Sequence, residues 1–321
     1  MNMTDSAAKL YIVIPCYNET AVLAETVKHL LSVVDELTEE NLVSGDSTIL
    51  CVDDGSSDGT WELIRELCEA NPRRVAGLRL AGNRGHQNAL LAGLMFAKDK
   101  ADCTISIDAD LQDDTAVIRE FVKEFQRGSD IVYGVRSDRT SDSFFKRFTA
   151  ELFYRLMSLL GAKVIFNHAD YRLMSHRALE ALSEYREVNL FLRGIIPIIG
   201  FRYSIVPYAR KAASRPTHYP FRKMLMLAMD GITSFSVRPI RLISLVGFLA
   251  FLITAGIGVW YLVIKIYGYT VPGWTSIVLL ILGLGGLQLL SIGLIGEYIG
   301  KIYLETKARP RYFIAEKLEN D

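Results

Sequence analysis

An α/β fold built on a mostly parallel sheet is what this sequence predicts, on three observations. Over residues 9 to 135, short apolar runs of β type alternate with amphipathic helical segments, and alternation at this pitch gives a sheet covered on both faces. Each run is bounded by turn residues, which marks a buried strand rather than a buried helix. Several runs end in polar motifs, and open α/β sheets bind ligands beyond the carboxyl ends of their strands.

Strands are expected at Leu10–Ile14, Thr48–Val52, Val75–Leu80, Thr104–Ile107 and Asp130–Val135, with helices near Ala21–Leu37, Trp61–Ala70, Gln87–Lys98 and Ala116–Gln126. The first strand runs out into Pro15-Cys16-Tyr17-Asn18-Glu19 and the second into Asp53-Asp54-Gly55-Ser56. Asp54 offers a carboxylate to a base N–H or a ribose hydroxyl. Ser57 or Asp58 can cap the helix opening near Trp61, a structural role that needs no ligand. The third strand leads into Gly82-Asn83-Arg84-Gly85-His86-Gln87-Asn88, where amides at a helix N-terminus and a cation can meet an anion. Neither G-x-G-x-x-G nor a Walker loop follows any strand, so a dinucleotide fingerprint is absent.

The fourth strand ends in Asp108-Ala109-Asp110-Leu111-Gln112-Asp113. Two carboxylates and an amide oxygen at i, i+2 and i+4 suit Mg²⁺ or Mn²⁺. Such a cation typically combines one or two carboxylates with substrate phosphates.

Beyond the alternating region, Ser143–Leu160 carries an apolar stripe at helical spacing, as does Phe221–Phe235. The second stripe suits a helix lying in a membrane interface. The first suits either that or packing on the sheet. Leu242–Ile264 and Thr275–Ile295 then contain no formal charge, and each is long enough to cross a hydrocarbon core as a helix. Arg238 and Arg241 precede the first, and Lys301, Lys307, Arg309 and Arg311 follow the second, whereas the connecting loop holds one Lys. The positive-inside rule then puts both termini and the N-terminal domain in the cytoplasm. Between Arg202 and Arg241, Asp230 is the one acid in a basic stretch. Such cations attract anionic headgroups and suit the phosphate of a lipid substrate equally well.

Composition excludes other classes. Lys plus Arg and Asp plus Glu are 36 each, so nothing marks a nucleic-acid binder. Met1–Lys9 has no apolar run, and no signal peptide is expected. Cys16, Cys51, Cys68 and Cys103 lack C-x-x-C spacing and read as structural thiols of a reducing compartment.

Together the motifs resemble glycosyltransferase family 2, and within it the polyprenyl-phosphate glycosyltransferases, the group of bactoprenol glucosyltransferases and dolichol-phosphate mannose synthases. The matching pieces are Ile14-Pro15-x-Tyr17-Asn18-Glu19, Val52-Asp53-Asp54-Gly55-Ser56, Asn83-Arg84-Gly85-His86-Gln87, Asp108-Ala109-Asp110-Leu111-Gln112, Ala169-Asp170-Tyr171-Arg172-Leu173-Met174 and the two-span C-terminus. The chain departs from the group at Asp114-Thr115, where bacterial members often have Pro-Pro. It departs again at Arg215-Pro216-Thr217-His218-Tyr219, where members commonly have Gly-x-Ser-Lys-Tyr.

The resemblance implies a GT-A-type nucleotide-sugar domain over residues 1–217 and a juxtamembrane segment over 218–241. Two transmembrane helices over 242–304 and a cytoplasmic tail over 305–321 would follow. It implies a nucleotide-sugar site at Pro15, Tyr17, Glu19, Asp53, Asp54, Asn83, Asp108 and Ala109. Mg²⁺ or Mn²⁺ would sit on Asp108, Asp110 and Gln112, with catalytic roles for Asp110, Arg84 and Asp170. Asp170 would orient the nucleophile or take a residual proton. Arg136, Arg202, Arg210 and Arg222 are the expected contacts of the lipid phosphate. The implied reaction is an inverting transfer from a nucleotide diphosphate sugar, UDP-glucose favoured, to a polyprenyl phosphate at the cytoplasmic face of the cell membrane. A homo-oligomer and a separate flippase for the product are the expected partners. A processive polysaccharide synthase would carry Gln-x-x-Arg-Trp, and none of Trp61, Trp260 and Trp274 follows an Arg. A nucleotide-sugar-binding membrane scaffold without catalysis is the remaining alternative, which a transfer assay separates.

Overall fold

In the computed structural model, residues 7–136, 168–188, 191–209, 238–267 and 273–319 are described. The first strand, β1 (Leu10–Cys16), is buried at every position, as an all-apolar run between two helical layers must be. It pairs in parallel with β2 (Thr48–Asp53) on one side and β4 (Cys103–Ser106) on the other. β2 pairs in parallel with β3 (Val75–Leu80). The helices between them are α1 (Leu23–Glu39), α2 (Thr60–Ala70) and α3 (His86–Ala97). A short 3₁₀ turn (Thr115–Val117) leads into α4 (Ile118–Gln126), and β5 (Ile131–Arg136) follows. Expected and observed elements therefore agree in type and order over this region, with ends displaced by a residue or two.

Three strands carry no clear sequence signal. β6 (His168–Ser175) inserts between β4 and β5, antiparallel to both. After α5 (His176–Ser183) and α6 (Leu192–Ile199), β7 (Tyr203–Tyr208) pairs in parallel with β5. β8 (Ile314–Leu318) pairs antiparallel with β3. The order is β7-β5-β6-β4-β1-β2-β3-β8, a mixed sheet that is mostly parallel. Ile314–Leu318 falls in the segment expected to be a cytoplasmic tail. Its strand is held by side chains as well as by the ladder: Glu316 accepts from Trp61 Nε1 at 3.1 Å and from Arg65 Nη2 at 3.2 Å. Those partners lie more than 250 residues away, which no local pattern reveals.

Side chains alternate across the sheet. Leu10, Ile12, Ile14 and Cys16 join a core with Leu23, Val27 and Leu30 of α1, Trp61 and Ile64 of α2 and Phe121 of α4. Full burial of each large apolar group contributes about 1.5–3 kcal/mol. The opposite face packs on α3, where Gly93 permits close approach. A Cβ there would lie 2.4 Å from Val13 Cγ1 and 2.8 Å from Val52 Cγ2. All four cysteines are buried free thiols.

A second compact unit contains α7 (Arg238–Ile266) and α8 (Trp274–Lys307). Among the described residues, one helix meets the length and composition needed to cross a membrane, through the window Ile243–Trp260 with mean hydropathy 2.2. The two apolar stripes expected at Ser143–Leu160 and Phe221–Phe235 lie outside the described residues.

The Gly93 contact yields a stability prediction. Gly93→Ala should destabilise the α/β unit by about 1–3 kcal/mol, the usual range for overpacking. Thermal unfolding of the detergent-solubilised protein measures it, and an unchanged Tm would show that α3 shifts freely on the sheet.

Candidate active site

The parallel strands β1, β2 and β4 present their carboxyl ends to one edge, and β6, running the other way, brings its amino-terminal half to that edge. A cleft of about 350 Å³ opens there, lined by Pro15, Glu19, His86, Asp108, Ala109, Asp110, Asp170 and Arg193. The loops around it are laced together. The Asn18 amide donates to Ser56 Oγ at 3.0 Å, and the Ser57 amide donates to Asn18 Oδ1 at 3.0 Å. The Glu19 amide donates to Thr60 Oγ1 at 3.0 Å. Asp58 Oδ1 accepts from the Thr60 amide at 3.1 Å, but Gly59, at φ +89°, occupies the cap position of α2, where no side chain makes the capping bond expected of Ser57 or Asp58.

Three residues expected at the nucleotide-sugar site, Asp54, Asp53 and Asn83, also hold their own loops in place. Asp54 is buried, and its two oxygens accept the Arg84 amide at 2.7 Å and the Gly85 amide at 2.8 Å. The amides expected to meet an anion ahead of α3 thus meet the Asp54 carboxylate. Burial pushes the Asp54 carboxyl above its ordinary range, opposed by those two amides. Gly55 makes the approach possible: its φ is +71°, and a Cβ there would lie 2.7 Å from the Asn83 nitrogen. Asp53 is also buried; its Oδ1 accepts the Ser56 amide at 3.1 Å, and Arg79 Nε lies 3.4 Å from Oδ2. Asn83 Oδ1 accepts the Gly85 amide at 3.2 Å. Tyr17 is 49 % exposed at the mouth of the loops.

Asp170 is the electrostatic centre. It is buried and pairs with Arg172 Nη2, with Arg193 Nη2 at 2.7 Å and with His86 Nε2 at 3.6 Å. Burial alone would raise its carboxyl, but His86, Arg172 and Arg193 together hold it well below the usual carboxylate range. Its charge is thus matched by three partners, two of them, Arg193 and His86, lining the cleft. His86 also stands 3.7 Å from Asp108 Oδ1. Burial disfavours the imidazolium, yet Asp170 and Asp108 outweigh it and raise its pKa. Asp108 is pushed up by desolvation and by the like charges of Asp113, Asp170 and Asp110, against the pull of His86.

This donor set fits a hard divalent cation. Asp108 and Asp110, which line the cleft, offer oxygens only, and Asp108 carries repulsion that a bound cation would relieve; Gln112 is not among the lining residues, and its backbone amide donates to Asp110 Oδ1 at 3.2 Å. Among the described residues no group of three or more His, Cys, Asp or Glu side chains forms a metal site. A cation here would therefore draw its remaining ligands from a substrate diphosphate or water, as Mg²⁺ commonly does.

Other expected contacts separate in space. Arg84 is exposed, and its backbone rather than its guanidinium is engaged, through Asp54 and through Asn88 Nδ2 at 2.8 Å. The cation lining the cleft is Arg193. It sits in the first turn of α6, whose Leu192 amide donates to Gln87 Oε1 at 3.0 Å. The sequence signal was a lone cation inside the apolar run Phe191–Ile196. Arg136 ends β5 on the cleft edge, with its Nε 3.4 Å from Tyr208 Oη. Arg202 precedes β7 at the opposite end of the sheet, roughly 20 Å away for six residues of extended chain. The Arg202 carbonyl accepts the Asp130 amide at 2.8 Å there. A phosphate on the cleft edge is thus beyond its reach. Arg210 and Arg222 lie outside the described residues.

The chain is similar to known proteins. The model of glycosyl transferase family 2 matches residues 11–183. The chain is 54 % identical over 320 residues to the uncharacterized glycosyltransferase YkoT of Bacillus subtilis (strain 168), covering 99 % of this chain and 95 % of that protein. It is 38 % identical over 312 residues to the bactoprenol glucosyl transferase of Shigella phage SfX, covering 96 % and 99 %. Among solved structures, mannosyl-3-phosphoglycerate synthase from Rubrobacter xylanophilus aligns over 70 % of this chain and 71 % of that one, with TM-score 0.46 and 16 % identity. The family match over more than half the chain, and the relatives matched along nearly their whole lengths, establish that this protein, with its GT-A-like α/β fold, belongs to glycosyltransferase family 2.

Proposed function

We propose that the protein transfers a sugar, glucose in the first instance, from a nucleotide diphosphate sugar to a polyprenyl phosphate at the cytoplasmic face of the cell membrane, with inversion. The observation that carries this reading is 38 % identity along essentially the whole chain to a bactoprenol glucosyl transferase. A cleft lined by carboxylates, a guanidinium and an imidazole at the carboxyl edge of the sheet supports it. Pro15, Glu19 and Ala109 would flank the nucleotide. Asp108, Asp110 and Gln112 would hold Mg²⁺ or Mn²⁺. When bound, that cation supplies Lewis-acid stabilisation of charge developing on the leaving diphosphate.

Arg193 adds fixed positive charge in the same cleft, the kind of preorganised stabilisation most effective in a partly desolvated site. Asp170 positions it and His86. A phosphate monoester has a second pKa of about 6, so a lipid phosphate nucleophile arrives largely ionised and requires no strong base. That matches an Asp170 already committed to arginines. Arg136, at the edge of the cleft, is the described residue best sited for the acceptor phosphate.

Two features support anchoring by a hairpin of both long helices. Large apolar side chains are exposed along α8 as along α7, among them Leu289, Ile292 and Ile299, a continuous surface that water would not tolerate. The pairing of β8 with β3 adds a topological argument. Strands of one sheet lie on one side of a bilayer, so the chain between β7 and β8 crosses an even number of times. With α7 as one span, α8 is the return.

The first test is a donor panel of radiolabelled UDP-glucose, UDP-N-acetylhexosamine and GDP-mannose, with undecaprenyl phosphate and the purified protein. Transfer from none of them would sink the enzyme reading in favour of a nucleotide-sugar-binding scaffold. Asp110→Asn should lower turnover by about 10²-fold or more, as loss of an electrostatic stabiliser does, with circular dichroism and membrane extraction unchanged. Full activity in excess chelator would exclude the divalent cation.

Topology gives another expected outcome. Gly268→Cys should react with an impermeant thiol reagent on intact cells, and Asn320→Cys only after permeabilisation. The reverse pattern would place the catalytic domain outside and remove its cytosolic donor.

A further inference from the structure

The acidic turn is braced by groups that the proposed reaction does not use. Tyr208, the last residue of β7, donates its hydroxyl to Asp113 Oδ1 at 2.7 Å, and both residues are buried. Tyr171 of β6 donates to the Asp114 carbonyl at 3.1 Å. The two rings meet edge to face, centroids 5.4 Å apart at 89°, and Tyr171 also packs on Phe121 of α4 at 4.8 Å. On the other flank, Thr26 Oγ1 of α1 donates to the Ala109 carbonyl at 2.6 Å.

Between these anchors the turn is under strain. Leu111 has φ +49°, a left-handed conformation that a leucine keeps only where its surroundings over-determine it. Asp108, Asp110 and Asp113 repel one another across the same few residues. Local sequence would not hold such a turn in one shape. The tyrosines come from β6, the neighbour of β4, and from the edge strand β7, and both are fixed by packing before their hydroxyls reach the turn. A displacement of about 1 Å in a catalytic constellation costs on the order of 10²-fold in rate, so a brace of this kind has consequences for function.

We infer that Tyr208, through Asp113, and Tyr171, through the Asp114 carbonyl, are positioning residues that set Asp108 and Asp110 for a nucleoside diphosphate and its divalent cation. The identity of that ligand rests on the proposed function, whereas the brace itself rests on the contacts above.

The test is Mn²⁺ binding to the full-length protein in detergent with UDP present, followed by electron paramagnetic resonance, alongside steady-state kinetics. Tyr208→Phe should raise the apparent dissociation constant for Mn²⁺ about tenfold, the worth of one well-formed hydrogen bond to a charged acceptor. The KM for UDP-glucose should rise with it. Asp113→Ala should behave likewise. Asp113→Asn, which keeps an acceptor for the Tyr208 hydroxyl, should restore most of the binding. The double variant Tyr208→Phe with Asp113→Ala should be no worse than either single one, since both break one interaction.

Ile64→Val, a core change in α2, should lower the Tm without moving Mn²⁺ affinity, which separates positioning from general stability. Wild-type Mn²⁺ affinity in Tyr208→Phe, or additive losses in the double variant, would overturn the inference. Absence of Mn²⁺ binding by the wild-type protein with UDP would instead strike the donor reading, and this inference would fall with it.

Discussion

β1 lies between β2 and β4, all three parallel and buried, and the placement of the site follows from that pairing. Parallel strands deliver their carboxyl ends to one edge, so Pro15, Asp54 and Asp108 arrive together although the chain separates them widely. Between β1 and β4 the chain order of the strands breaks, which is where an open α/β sheet leaves a crevice. β6 then enters antiparallel to β4 and supplies Asp170 from the opposite direction. Had β6 run parallel, its amino-terminal half would lie at the far edge of the sheet and the cleft would lose its central carboxylate.

Burying that carboxylate requires compensation. An isolated ionised group in a protein interior costs several kcal/mol, and a buried pair is tolerable only with good geometry and further hydrogen bonds. Asp170 meets this with Arg172 behind it and Arg193 and His86 on its cleft side. Arg172 is itself fully buried, and its Nε and Nη1 have no hydrogen-bond partner among the described residues. Asp170 is therefore its principal compensation. The cluster is costly as stability alone, and its value lies in presenting a guanidinium and an imidazole at fixed positions beside Asp108. The same economy appears at Asp54, whose carboxylate serves as the fixed anchor of the turn leading into α3.

The carboxyl-terminal strand ties the end of the chain to its beginning. β8 adds to the exposed edge of β3, satisfying backbone groups that would otherwise present a template for another chain, and Glu316 fastens it to Trp61 and Arg65 of α2. The chain that leaves the α/β unit after β7 thus returns to it after α8.

By itself the sequence determined the alternating strands and helices up to residue 136, the edge where the motifs gather, the long apolar helices and the family. Hydrophobic period, turn chemistry and motif spacing are local properties, legible within a window of a dozen residues. Only the tertiary structure decided that Asp54 binds backbone rather than presenting a free carboxylate, that Arg193 rather than Arg84 lines the cleft, and that Arg202 stands at the end of β7 away from it. It also decided that a presumed tail is a strand and that two tyrosines brace the acidic turn. Each of these turns on partners distant in the chain, and which partner a carboxylate or guanidinium meets is fixed by strand order and direction, quantities that no single segment encodes.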